Sequence, residues 1–182
     1  MLQRNGPEGW AAIRTDALAF FLASCTIDAV RDALVQGSGV MVLSSIAAST
    51  DSQISEIETC LMLLSTLTSF SSECRRALFE VGGTQMMLDC IQMKPVANLK
   101  HDASLGISAE EQQMLLMSAK LGPALQVLAN LCEDQAVWDV IADARAEQTV
   151  LTHAASKDQN VSLAALRFVE TLFSQYVSPQ HY

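Results

Sequence analysis

The chain has 182 residues, of which 50% are apolar and 17% charged, enough for one domain with a continuous core and well clear of the disordered class. Eleven basic against twenty acidic side chains give a formal charge of −9, which repels phosphate backbones and anionic lipid surfaces and excludes nucleic acid as the principal ligand. Aromatic residues make up 5%, while Leu, Ala, Met, Ser and Val dominate, a mixture that favours helices over sheet.

In chain order, the opening "MLQRNGPEGW" has no basic segment followed by an apolar run, and the most apolar early stretch, "ALAFFLASC", is nine residues long. No signal peptide or membrane span is expected. A helix over about residues 11–25 is followed by "VRDALVQGSGVMVLSSI", two short helical segments around Gly37-Ser38-Gly39. Ile57, Cys60, Leu61, Leu64 and Leu67 then fall at helical spacing and form one apolar stripe. "SECRRALFEV" reads as a short helix, Gly82-Gly83 as a break, and "TQMMLDCI" as a helix that starts at once. Residues 94–113 are polar, contain Pro95 and Gly106, and read as an insertion, with Ser108 capping a solvated helix start at Glu110-Glu111. Leu121, Ala124, Leu125, Leu128, Leu131 and Cys132 form the next stripe, "AVWDVIADA" the next short helix, and Val161, Ala165, Phe168 and Leu172 the last stripe, before a flexible tail at 175–182. Period-two alternation never lasts, so strands are not expected.

The chain matches itself. "VRDALVQGSGVMVLSSI" lies on "CRRALFEVGGTQMMLDC" without a gap, pairing Arg31 with Arg75 and Gly39 with Gly83 at an offset of 75 − 31 = 44 residues. "VWDVIADARAEQTVLTHA" continues the match, with Leu151 on Leu88 at 151 − 88 = 63, and the excess of 63 − 44 = 19 residues is placed in the 94–113 insertion. Ala144-Arg145-Ala146 is then the degenerate counterpart of the glycine bend.

The unit resembles an armadillo repeat, most specifically in "ETCLMLLSTLTSFSSECRRALFEVGGTQMML" and "PALQVLANLCEDQAVWDVI". That resemblance covers about residues 15–173. It implies an all-α, right-handed α-solenoid of about three to four repeats in a single domain, with the first and last helices as caps. It also implies that the long third helices line a concave surface. Peptide-binding members of that family place a Trp and an Asn on each third helix. Here Asn130 stands at the Asn position, with Thr66, Thr171 and Ala23 in its neighbours, and Met62, Gln126, Arg167 and Ala19 stand at the Trp positions. No ladder of the nuclear-import kind is present. Glu58, Met62, Thr66, Gln126, Asn130, Arg167 and Thr171 are the expected partner-binding residues.

Chemistry of other kinds is not expected. The chain carries no GxSxG, P-loop, GxGxxG, HExxH or CxxC motif, and His101, His153 and His181 are scattered, so no catalysis, metal or cofactor is read. Cys25, Cys60, Cys74, Cys90 and Cys132 are odd in number and read as reduced, mostly buried thiols of an intracellular, cytoplasmic protein. Met86-Met87, Met114 and Met117 read as core filler or as an adaptable surface, Trp138 as packed inward, Trp10 as an anchor or a cap contact, and Ser178-Pro179 as part of a frayed terminus. The expected function is a non-catalytic adaptor that holds a segment of another protein on its concave face. The alternative is a regulatory or assembly domain of a larger protein that acts by self-association.

Overall fold

A computed structural model describes residues 7–49, 52–93 and 106–177, and among these the chain is all helix. The ten helices are α1 (Pro7–Ser24), α2 (Asp28–Gln36), α3 (Gly39–Ala48), α4 (Ile54–Phe70), α5 (Ser72–Glu80), α6 (Gly83–Ile91), α7 (Ala109–Leu131), α8 (Gln135–Asp143), α9 (Ala146–Ala154) and α10 (Gln159–Val177). After α1, the order short helix, short helix, long helix recurs. Long α1, α4, α7 and α10 each pack on the next, while α3 backs α4, α6 backs α7 and α9 backs α10.

Each short pair turns on one residue in the left-handed region. Ser38, Gly82 and Arg145 are the N-caps of α3, α6 and α9, with φ of 61°, 77° and 50°. Their spacing, 82 − 38 = 44 and 145 − 82 = 63, is the spacing of the sequence self-match. The residue after the bend must be small. A Cβ on Gly83 would lie 2.3 Å from Leu78 Cδ1 and 2.7 Å from its carbonyl oxygen, so only glycine lets α5 and α6 meet this closely.

The C-termini of the long helices are tied by one recurring device. Arg31 donates to the Cys25 carbonyl at 2.9 Å, Arg75 to the Thr68 carbonyl at 2.8 Å, and Trp138 Nε1 to the Cys132 carbonyl at 3.1 Å. The three donors lie at equivalent positions of the self-match, 75 − 31 = 44 and 138 − 75 = 63. Each fills a carbonyl that the end of a helix would otherwise leave unpaired. Arg75 also pairs with Glu133 at 2.8 Å, and the Arg31 guanidinium lies 4.4 Å from the Phe70 ring centroid.

The core runs through the long helices without a break, from Leu61, Leu64 and Leu67 through Leu125, Leu128 and Leu131 to Ala165 and Phe168. α7 is long and apolar enough to cross a bilayer by length and composition, and half of that window is buried against its neighbours. It continues through Pro123, which supplies no backbone N–H and so deletes one bond of the helical ladder.

The segment expected as an insertion is divided. Residues 94–105 lie outside the described residues, whereas 109–113 form the first turn of α7, with Gln112 buried. Ser108 is the N-cap as read from the sequence: its hydroxyl accepts from Glu111 N at 3.2 Å, and Glu111 accepts from Ser108 N at 2.8 Å. Residues 175–177 of the expected tail belong to α10, and Ser178-Pro179 lies outside the described residues, as do His101 and His181.

Candidate interaction surface

α4, α7 and α10 lie side by side, so residues spaced along each helix at three or four form adjoining rows. Glu58, Met62 and Arg167 are exposed, and Thr66, Gln126 and Thr171 are half-buried. The Arg167 guanidinium donates to Gln126 Oε1 at 3.5 Å, which places these two residues of α10 and α7 on one surface. Thr66 and Thr171 donate their hydroxyl hydrogens to the carbonyls of Met62 and Arg167 on their own helices, at 3.0 and 2.9 Å, so towards a ligand both can only accept. A shallow hollow of about 520 Å³ between α7 and α10 is lined by Gln126, Asn160, Leu163, Leu166, Arg167 and Glu170.

Asn130 departs from its expected role as a partner-binding residue. It is 5% exposed, and its amide donates to the Ser65 carbonyl at 2.9 Å and to Thr68 Oγ1 at 3.0 Å, both on α4. Its Oδ1 accepts from Gln126 Nε2 at 3.2 Å. Both amide hydrogens are committed, so Asn130 joins α7 to α4 and has no donor left for a ligand. The cause is its place in a run, Val127 to Leu131, in which every residue is buried because α7 is covered on both sides. The result is a polar chain, Arg167 to Gln126 to Asn130 to α4, that crosses three helices from surface to core.

A second cluster was not legible in the sequence. Glu56, on the first turn of α4 and 1% exposed, accepts two hydrogen bonds from Arg14 at 2.8 and 2.7 Å, one from Thr15 Oγ1 at 3.2 Å and one from Gln53 N at 3.0 Å. Burial pushes its carboxyl up, but Arg14's hydrogen bonds and charge, with the Gln53 N–H and the Thr15 hydroxyl, outweigh that and hold it below the usual carboxylate range. The signal was present: Glu56 stands four residues before Cys60, on the apolar stripe, where a carboxylate needs a cation from elsewhere. Nothing in the local sequence says that Arg14 supplies it.

The opposite side of the stack carries a groove of about 670 Å³ between α3, α6 and the first half of α7. Met41, Met86 and Met117 meet there, beside Val81, Cys90 and Lys120. Met87 is core and Met114 is exposed on α7. His153 is half-buried and its Nε2 lies 2.7 Å from the carbonyl of Ile91, the last residue of α6, where the protonated nitrogen donates. All five cysteines are free, and burial pushes the Cys60, Cys74 and Cys132 thiols up to about 12. Such thiols stay protonated at neutral pH and are poor nucleophiles. Among the described residues no group of three or more His, Cys, Asp or Glu side chains converges.

No family model matches the chain, and no curated protein matches it. Solved structures do. A crystal structure of an engineered protein from the Northeast Structural Genomics Consortium superposes with a TM-score of 0.64 at 21% identity, over 89% of this chain and 57% of that one. Another engineered protein from the same consortium aligns at 17% identity and a TM-score of 0.47, over 88% of this chain and 44% of that one. The first shares the fold with this chain, which spans a little over half of its length.

Proposed function

We propose that the protein is a non-catalytic interaction module whose α4–α7–α10 face holds a segment of another protein. The carrying observation is that Gln126 and Arg167 meet across α7 and α10, with Met62 exposed at the matching position of α4 and Glu58, Thr66 and Thr171 near them on their own helices. In this reading the stack is a right-handed armadillo-like solenoid of three to four repeats. The recurring bends at 38, 82 and 145 and the recurring caps on Cys25, Thr68 and Cys132 support it. The face offers Gln126 and Arg167 as donors, Glu58 and the threonine hydroxyls as acceptors, and Met62 as an adaptable apolar contact. This mixture suits a peptide backbone with moderate side-chain contact better than a strongly basic ligand. Asn130 supports the face from beneath. The free thiols fit an intracellular, cytoplasmic setting.

The test compares proteins captured from a cell extract by the parent chain, by a Glu58→Lys/Met62→Glu variant of the face, and by a Leu151→Glu control on α9. The face variant should lose roughly tenfold or more of a specific partner that the control retains. A partner kept by the face variant and lost on changing Met41 and Met86 would instead assign recognition to the α3–α6 groove.

A further inference from the structure

α10 carries two apolar stripes. Val161, Ala165, Phe168 and Leu172 face the core, as the spacing predicts. On the opposite side Leu163, Leu166, Glu170 and Phe173 follow one another at intervals of three, four and three residues, with the three apolar members 57%, 51% and 61% exposed. That is the a/d spacing of a coiled-coil seam, about 15 Å long from Leu163 to Phe173. Equivalent positions on the other long helices show what such a surface normally meets. With Met62, Gln126 and Arg167 aligned, Leu166 corresponds to Leu61 and Leu125, which are 1% and 0% exposed, and Phe173 to Thr68 and Cys132, both 0% exposed. Leu61 and Thr68 lie on α4, which packs on α7, and Leu125 and Cys132 lie at the end of α7, which packs on α10; among the described residues α7 and α9 pack on α10, and Leu163, Leu166 and Phe173 stay exposed.

We propose that this seam pairs antiparallel with the same seam of a second copy, forming a two-fold dimer through α10. The commitment to a second copy rests on charge as well as on continuity of packing. Glu170 sits alone in the middle of the apolar stripe, and Arg167 flanks it one turn earlier. In an antiparallel pair centred at Phe168, each Leu163 meets Phe173 of the other copy, and each Leu166 lies against the other copy's Glu170. Arg167, next to Leu166, is then beside that carboxylate. Gln126 takes only one of Arg167's five donors, which leaves the guanidinium able to reach across. A parallel pair in register would place the two Glu170 side chains opposite each other in an apolar seam, which is unfavourable. The seam is self-complementary in charge in the antiparallel orientation, as an isologous contact requires. A single helix pair is smaller than the standard stable interface, so the association belongs in about the micromolar to submillimolar range.

This proposal goes beyond the partner-binding reading and shares Arg167 with it, but its test reads self-association of the chain alone and needs no partner. Sedimentation equilibrium of the full 182-residue chain, from roughly 1 μM to 1 mM, should give a monomer–dimer equilibrium. Leu166→Glu should abolish the dimer while leaving the helical circular dichroism spectrum and melting temperature unchanged, since Leu166 is half exposed. Arg167→Glu and Glu170→Arg should each weaken dimerisation roughly tenfold, and the double exchange should restore it. A monomer throughout the range overturns the proposal. So does association that ignores Leu166→Glu, a mass that climbs beyond the dimer by head-to-tail stacking, or a double exchange that fails to recover the loss.

Discussion

Asn130 and Glu56 are buried polar residues that tie α4 to α7 and to α1. Asn130→Ala removes the amide that donates to Thr68 Oγ1 and to the Ser65 carbonyl across the α4–α7 contact, so it should destabilise the fold by about 1–3 kcal/mol in urea unfolding. Gln126→Ala, nearer the surface, should cost less than about 1 kcal/mol, which separates support from exposure. Glu56 makes the pH dependence directional. Its folded pKa lies below its ordinary value of 4.5, so the stability it supplies is fully present above that value and is lost as pH falls through the lower folded value. Glu56→Gln should cost about 1–3 kcal/mol at pH 7, towards the lower end because Arg14 is partly exposed, and should flatten the acid limb of the stability curve below about pH 4.5. Both residues explain why the sequence was only partly legible here. An amide at the position of Asn130 serves equally as a ligand contact or as a core bridge. What decides is the all-round burial of Val127 to Leu131, and an apolar helix with no polar side is the mark of a helix covered on both sides.

At the scale of elements, the bends set the geometry of each short pair, and two of the three use residues that resist it. Ser38 and Arg145 hold positive φ with a Cβ present, at a cost of about 1 kcal/mol each. Arg145→Gly should therefore raise stability by about 0.5–1 kcal/mol, and Gly83→Ala should lower it by about 1–3 kcal/mol because the new methyl collides with Leu78. Parallel chemical denaturation of the two variants reads both signs. The positions of these bends were readable because a self-match needs only the pattern to recur, and it placed Arg145 at the third bend although no glycine marks it. The caps were not. Arg31 and Arg75 align by identity, but nothing in the sequence says that their heads reach back to Cys25 and Thr68, or that Trp138 does the same work through its indole nitrogen. The helix start at Ser108 was readable, because a capping box is a local exchange of hydrogen bonds within four residues.

Across the whole molecule, the long helices contact chiefly their neighbours, so stability is distributed along a core that runs the length of the stack. Thiol accessibility should report this. In the native protein at pH 7.5 a maleimide should leave Cys60, Cys74 and Cys132 unlabelled, since each is fully buried with its thiol pushed up to about 12, whereas in denaturant all five cysteines should react. Labelling Cys132 before Cys60 at intermediate denaturant would show the α10 end opening first. The order of elements was legible because helical stripes and bends are local patterns. The lateral bonds from Arg167 through Gln126 and Asn130 to α4, and from Arg14 to Glu56, join residues about forty or more positions apart, and periodicity carries no information about them.

Pro123 gives α7 a kinetic seam as well as a missing hydrogen bond. The residues before it flank the methionine groove and end in the capped start at Ser108, while those after it are buried on both sides between α4 and α10. Because proline donates nothing to the ladder, the first half can fray and re-form without disturbing the second. Deuterium should accordingly enter Met114 to Lys120 far sooner than Ala124 to Leu131. One continuous helix would then register two clocks: a fast one beside the groove and a slow one timed by opening of the stack itself.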